Sequence, residues 1–340
     1  MKMKAILFKK KGEYSLEEVP VPGLESKEVL IKVNSCGICG TDVHIYEGNF
    51  PANFPLIPGH EFSGIIEDKG KDVKNLKIGD HVTVNPNLPC GKCDQCRVGN
   101  ENLCIDLLNL GVRLNGGFAE YVKAKNSLVY KLPDEVDLES ASLTEPLSCC
   151  IHGIDLAQIK PGECVLVTGC GPIGLLMIQL AKICGAAKIV ATDPIEKRRK
   201  LALSLGADLS LNPNDVNNIQ EAIGNFLSGK PEVVVECVGK SSTQEESIKL
   251  VKPGGRVIWF GVANPDDEIK INPYYVYKNE ITIKGSFVNP YTTKRAVRLL
   301  SEKRIRLKEL ISHRFSLEDF DKAMMTHMKD PDRIKVVVKP

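Results

Sequence analysis

Four thiols crowd into one short stretch, Cys90-Gly91-Lys92-Cys93-Asp94-Gln95-Cys96 followed by Cys104. Four thiolates at such spacing enclose a zinc ion as a closed tetrahedron, which contributes folding energy and leaves no position open for chemistry. A second set is dispersed. Cys36-Gly37-Ile38-Cys39-Gly40-Thr41-Asp42-Val43-His44 is followed by Pro58-Gly59-His60-Glu61 and later by Thr144-Glu145-Pro146. A catalytic zinc takes about three protein ligands and keeps one position for water or substrate. Cys39, His60 and Glu145 could supply the three, with Glu61 as a fourth or exchangeable ligand.

A third feature is rich in glycine. Gly169-Cys170-Gly171-Pro172-Ile173-Gly174 follows the apolar run Val165–Thr168 and opens a helical one. In that setting Gly169 allows a tight turn, Gly171 lets a pyrophosphate approach the backbone, and Gly174 lets helix and strand pack closely. The helix start offers free N–H groups to the phosphates. Nineteen residues past Gly174, Asp193 closes the next strand-like run. An acid there would bind both hydroxyls of an adenosine ribose and repel a 2′-phosphate, which favours NAD over NADP. Arg198 and Arg199 are the nearby cations that could accept such a phosphate.

These features need a scaffold, and the rhythm of the chain suggests one. The first 150 residues or so read as β-rich, with strand-like runs at 29–33, 64–67 and 80–84 broken by Gly, Pro and Asn. From Gly162 the pattern becomes strand then helix, repeated. Strands are expected at 165–168, 188–192, 233–237, 256–260 and 281–284, and helices at 173–184, 196–205 and 293–302. Such alternation predicts a parallel sheet covered by helices, an α/β domain. The last apolar run, 334–338, could return to the first domain and make it discontinuous.

Bulk properties exclude several roles. With 340 residues and 43% hydrophobic content, two globular domains are expected. A net charge of +2 argues against a nucleic-acid partner, and the runs Lys9–Lys11 and Lys197–Lys200 read as solvated faces. No apolar stretch approaches the roughly 20 residues that span a bilayer, and Lys9 interrupts the N-terminal one too early for a signal peptide. No membrane partner and a cytoplasmic location are therefore expected. Of the twelve cysteines, Cys164, Cys170, Cys184 and Cys237 lie singly in apolar surroundings and read as small buried hydrophobes.

Pro58-Gly59-His60-Glu61-Phe62, Gly79-Asp80-His81-Val82, the four-cysteine loop, Gly116–Tyr121 and Gly169–Gly174 occur together and in order. That set resembles the zinc-containing medium-chain dehydrogenase/reductase family over essentially the whole chain. The resemblance implies a GroES-like, β-rich catalytic domain (1–150 and 290–340) and a Rossmann domain (151–289) between its parts. It implies Cys39, His60 and Glu145 as catalytic zinc ligands, with Glu61 adjacent and sometimes coordinating, and a structural zinc on Cys90, Cys93, Cys96 and Cys104. The NAD-contacting positions it implies include Ile173, Asp193 and Arg198 beside Gly169, Gly171, Pro172 and Gly174. Phe260, Gly261, Val262, Ser286 and Phe287 extend that surface. A homotetramer is typical of bacterial members.

Glu145-Pro146-Leu147-Ser148 resembles the sorbitol and other polyol dehydrogenases, so the expected reaction is oxidation of a secondary hydroxyl of a sorbitol-, iditol- or arabitol-like alcohol to a ketone. Zinc would act as a Lewis acid on that hydroxyl. Its proton would leave through Thr41 and onward to His44 or solvent. Two positions depart from the polyol enzymes. Ile45 stands where they often carry Tyr, and Ser286–Pro290 stands where they often carry Arg-Tyr; both would face substrate hydroxyls. The stretch Thr41–Glu47 is similar to threonine dehydrogenases instead, which makes L-threonine an alternative substrate and polyol phosphates another. A zinc- and NAD-binding regulator without turnover is the alternative of a different class, although nothing is missing from the catalytic set.

Overall fold

Alternation builds the first sheets. In the strand Lys2–Lys10, Met3 and Ala5 are buried on one face and Ile6 and Phe8 on the other, each set packed into its own core cluster, and the strand pairs antiparallel with Glu13–Pro20. The computed structural model describes residues 1–340, in two compact units: Met1–Ser148 with Asn289–Pro340, and Cys149–Val288.

The first unit is built on a seven-stranded sheet. Glu28–Gly37 pairs antiparallel with Glu61–Lys69, with Tyr121–Lys125 and with the last strand, Lys335–Lys339. Val337 lies opposite Gly37 and Val338 opposite Cys36, so the chain's end is laid beside the strand that leads into Cys39. Ile311–Ser316 joins Lys335–Lys339 in parallel on the outer edge. The helix Phe320–Lys329 locks this tail in place. The Phe320 ring meets Phe118 at 5.0 Å and Tyr14 at 5.3 Å, both edge-on, a geometry that adds about 0.5–1.5 kcal/mol per pair to the area buried.

The second unit is a six-stranded parallel sheet. Its order is Leu209–Leu211, Lys188–Thr192, Cys164–Thr168, Val233–Glu236, Arg256–Trp259, Thr282–Gly285. Numbered along the chain this is 3-2-1-4-5-6, the Rossmann order with its crossover beside the first strand. Val165–Val167 and Val233–Val235 are buried throughout, because helices cover both faces of a parallel sheet. The helix after the glycine loop begins at Pro172, whose missing N–H costs nothing at a first helical position.

Two expectations need correction. Of Cys164, Cys170, Cys184 and Cys237, only Cys170 is fully buried; the other three are partly exposed. Ile45, expected to face substrate hydroxyls, is fully buried in the core cluster with Phe8, Leu56 and Phe62. No helix is long and apolar enough to cross a membrane.

Candidate active site and cysteine lobe

Where Glu28–Gly37 ends, the chain turns into the helix Gly40–Glu47 with Cys39 at its N-cap. The turn is held by Asp42, whose Oδ2 accepts from the Cys39 backbone N–H at 2.8 Å. Its Oδ1 accepts from Gly59 N–H at 3.3 Å and lies 3.8 Å from His60 Nδ1. One fully buried carboxylate thus ties the Cys39 turn to the His60 loop. Burial pushes the Asp42 carboxyl up, while His60 and the Cys39 amide pull it down. Sequence reasoning did not single Asp42 out; its signal is a carboxylate at the third helical position after a candidate ligand.

The thiol of Cys39, the ring of His60 and the carboxylate of Glu61 offer ligand atoms that all lie within 4.8 Å of one another. Glu145 stands outside that tight set. It sits in the first turn of the helix Thr144–Ala157, nearly buried, and its charge is felt by His60 and Lys335. Cys36 takes no part: burial holds its thiol well above the ordinary range. Thr41 Oγ1 lies 3.7 Å from the Cys39 sulfur. His44 is three residues on, on the same face of the helix.

Glu61 has a partner that the sequence did not suggest. Lys335 Nζ donates to its Oε1 at 2.7 Å and Oε2 at 2.5 Å, and to the Ile38 carbonyl at 3.1 Å. Both side chains are buried, at 4% and 2% exposure. Burial opposes the ammonium charge, but Glu61 and the Cys39 sulfur overcome it and hold Lys335 above the usual lysine range. The carboxylate rests against Gly37, where any side chain would collide with it.

These residues fit a zinc ion. Thiolate, imidazole and carboxylate are the donors zinc takes, and the buried His60 Nδ1 has no hydrogen-bond partner. Burial opposes a proton on His60, yet Cys39, Asp42 and Glu145 outweigh it and hold the ring well above its ordinary value.

The four cysteines form a separate lobe. The short strands Asn87–Leu88 and Leu108–Asn109 pair at its base. All four sulfurs lie within 4.8 Å of one another, none in a disulfide. Cys90 N–H points at the Cys104 sulfur at 3.2 Å and Cys93 N–H at the Cys90 sulfur at 3.4 Å. The amides of Cys96 and Ile105 draw the Cys93 thiol down to about 6. Backbone donors aimed at sulfur are what a thiolate requires.

In the second unit every cofactor candidate follows the C-terminal end of a parallel strand, the end where such sheets bind ligands. Gly169 takes a φ of 86° to turn the chain. A methyl group on residue 174 would run into the Gly169 carbonyl, whereas one on residue 171 would meet only open space. Asp193, nearly buried, holds the loop: Oδ2 accepts from Cys170 N–H and Oδ1 from Ile195 N–H, both at 2.8 Å. Arg199 is committed to the carbonyls of Asp193 and Pro194 at 2.8 Å each, while Arg198 Nη1 lies 3.9 Å from the Asp193 carboxylate. Glu236, missed in the sequence, is fully buried and accepts from Val238 N–H at 2.8 Å, Gly239 N–H at 3.0 Å and Thr243 Oγ1 at 2.8 Å. It shapes the 237–239 turn against Gly261. Phe260 is half-buried and Val262 and Phe287 are exposed; the buried Ser286 hydroxyl oxygen has no partner.

Two family models match this chain: the alcohol dehydrogenase GroES-like domain over residues 25–134 and the zinc-binding dehydrogenase over residues 172–302. D-arabinitol dehydrogenase 1 of Uromyces fabae is 36% identical across 99% of this chain and 97% of its own length. The chain belongs to the zinc-containing medium-chain dehydrogenase/reductase family. Sorbitol dehydrogenase of Halalkalibacterium halodurans, another relative, is 37% identical over 97% of this chain and 96% of its own. Among solved structures, a zinc-binding dehydrogenase from Sinorhizobium meliloti 1021 bound to NADP superposes with a TM-score of 0.96 at 36% identity, covering 100% of both chains. The medium-chain fold, with its GroES-like and Rossmann parts, is therefore shared from end to end, and the protein is a zinc-dependent oxidoreductase of the alcohol dehydrogenase type.

Proposed function

We propose that this enzyme oxidises a secondary hydroxyl of a polyol to a ketone with NAD, the observation carrying it being the buried convergence of Cys39, His60 and Glu61 on one point beside Glu145. The names of the relatives from Uromyces and Halalkalibacterium support a sugar alcohol as the substrate.

Cys39, His60 and Glu145 hold the zinc, with Glu61 as a further or exchangeable ligand. When bound there, zinc supplies Lewis acidity to the substrate hydroxyl, and NAD supplies the hydride acceptor. The chain's own groups do the rest. Asp42 keeps Cys39 and His60 aimed at the same point. Thr41 Oγ1, beside the Cys39 sulfur, takes the hydroxyl proton and passes it toward His44 or solvent. Gly169, Gly171 and the helix start at Pro172, Ile173 and Gly174 receive the pyrophosphate. Asp193 receives the ribose hydroxyls, with Arg198 at its side, and Phe260, Gly261, Val262, Ser286 and Phe287 complete the cofactor surface. In this reading the first unit is the catalytic domain and the second the NAD domain. The four-cysteine lobe holds a second, structural zinc, and the enzyme works in the cytoplasm as a homotetramer. Twelve cysteines with no disulfide among them suit a reducing compartment.

The test is reduction of NAD and of NADP, side by side, with sorbitol, iditol, arabitol, polyol phosphates and L-threonine, on zinc-loaded and chelator-treated protein. The reading expects zinc-dependent NADH formation with at least one polyol. Turnover of L-threonine alone would move the substrate class, and NAD binding with no turnover of any alcohol would make the chain a binding protein.

A further inference from the structure

A buried row of side-chain hydrogen bonds runs through the first unit. Asn109 Nδ2 donates to Asn87 Oδ1 at 2.5 Å, and Asn87 Nδ2 to Asn289 Oδ1 at 2.5 Å. Asn289 Nδ2 donates to Ser148 Oγ at 2.6 Å, and Ser148 Oγ to the Glu145 carbonyl at 2.7 Å. Every donor points the same way along the row. A side branch, Thr292 Oγ1 to the Ser148 carbonyl at 2.7 Å, pins the same helical turn. Asn87, Asn289 and Ser148 are buried, so these amides have no water to fall back on.

The ends of the row carry its meaning. Asn87 and Asn109 are cross-strand partners at the base of the lobe, and the chain between them contains all four clustered cysteines. Glu145, at the other end, opens the helix Thr144–Ala157. The link at the centre is held under strain: Val288, just before Asn289, has a φ of 47°, a region β-branched residues avoid. Such a conformation persists where the surroundings over-determine it, and the two side-chain hydrogen bonds of the next residue, Asn289, are part of those surroundings. Closing the cysteine lobe requires no connection to the helix of Glu145. A fully satisfied buried polar row is rigid, and it transmits position.

We propose that Asn87 and Asn289 are positioning residues that couple metal occupancy of the four-cysteine lobe to the placement of Glu145, so that a divalent metal in the lobe tightens metal binding at the Cys39–His60–Glu145 site. The inference rests on the metal assignments proposed above. Couplings between two binding sites typically amount to about 5–150-fold and are reciprocal.

The test uses the full chain titrated with Co²⁺, whose sulfur charge-transfer bands separate a four-thiolate from a one-thiolate site, together with the rate of metal loss to a chelator. Cys90→Ser, which breaks the four-thiolate set and weakens its hold on metal, is expected to weaken the one-thiolate site by about 10–100-fold. Asn289→Ala is expected to weaken that site by a similar factor while keeping the four-thiolate signature, and adding Cys90→Ser to it should weaken the site little further. Should Asn289→Ala fail to fold, Asn109→Ala, at the half-buried lobe end, carries the same expectation. Wild-type affinity in a folded Asn289→Ala or Asn109→Ala, or effects of Asn289→Ala and Cys90→Ser that multiply, would overturn the coupling. A wild-type chain that binds cobalt only in the four-thiolate lobe would remove the proposed catalytic metal, and this inference with it.

Discussion

Lys335, on the last strand, places its ammonium between both carboxylate oxygens of Glu61, at 2.7 and 2.5 Å, beside the sulfur and imidazole of the candidate zinc site. The pair is buried, so each charge depends on the other. It leaves Glu61 close to the metal position yet balanced by a cation of its own.

Replacing Lys335 with Met should leave the Glu61 carboxylate buried without that balance. The expected loss is about 3–5 kcal/mol of unfolding free energy, read from urea denaturation of the metal-free protein. The double variant Glu61→Gln/Lys335→Met should recover much of it, because the stranded charge goes with its partner. A single variant that costs no more than a surface substitution would show the pair to be solvated.

The second and third glycines of the nucleotide loop should fail differently. Gly174→Ala pushes a methyl group into the Gly169 carbonyl and should distort the loop itself, lowering thermal stability. Gly171→Ala meets open space and sits in extended backbone, so the fold should survive. The methyl group would nevertheless stand where a pyrophosphate must approach, and the KM for NAD should rise by about tenfold or more, some 1.4 kcal/mol of binding. An unchanged KM in Gly171→Ala would move the phosphate site elsewhere.

Glu139 should contribute to the acid stability of the first unit. Its carboxylate accepts two bonds from Arg314, each 2.8 Å, and one from Lys339 at 2.8 Å. Chiefly through the Arg314 bonds, its pKa falls from the ordinary 4.5 to about 2. Because the folded value is depressed, the stabilisation is fully present above 4.5 and is lost as pH falls toward 2. With both cations partly exposed and screened, it amounts to about 1–3 kcal/mol. Glu139→Gln should lower stability by that amount at pH 7 and flatten its pH dependence between 4.5 and 2, measured on metal-free protein. Parallel pH curves for variant and wild type would assign the acid transition to other groups.

Thr41 is placed to handle a proton next to the Cys39 sulfur. Thr41→Val should lower kcat by about 10²–10⁴-fold with metal content unchanged, and Thr41→Ser should restore most of it. Full activity in Thr41→Val would mean that the substrate proton leaves by another route.

Short-range chemistry was legible in the sequence. The four-cysteine lobe and the Gly169–Gly174 loop close over a few residues, so their spacing already states their geometry. The parallel strands 188–192 and 233–236 were readable because burial on both faces demands continuous apolar runs. The third Rossmann strand, Leu209–Leu211, escaped notice because three half-buried residues leave no pattern. Ile45 read as a substrate contact by alignment with a motif, but the turn of its helix carries it into the core.

What tertiary structure alone decided are the partners. Lys335 meets Glu61 across 274 positions and Asn289 meets Asn87 across 202. Nothing local marks either pair, since a lone lysine in a terminal strand and three scattered asparagines are ordinary features. Strand register makes them. Val338 opposite Cys36 fixes which face of the last strand Lys335 occupies, and a slip of one residue would turn it away from Glu61. Sequence by itself determined which groups could bind zinc and a dinucleotide. Only long-range pairing decided which buried charges balance them, because a side-chain partner is chosen by register and packing, not by spacing along the chain.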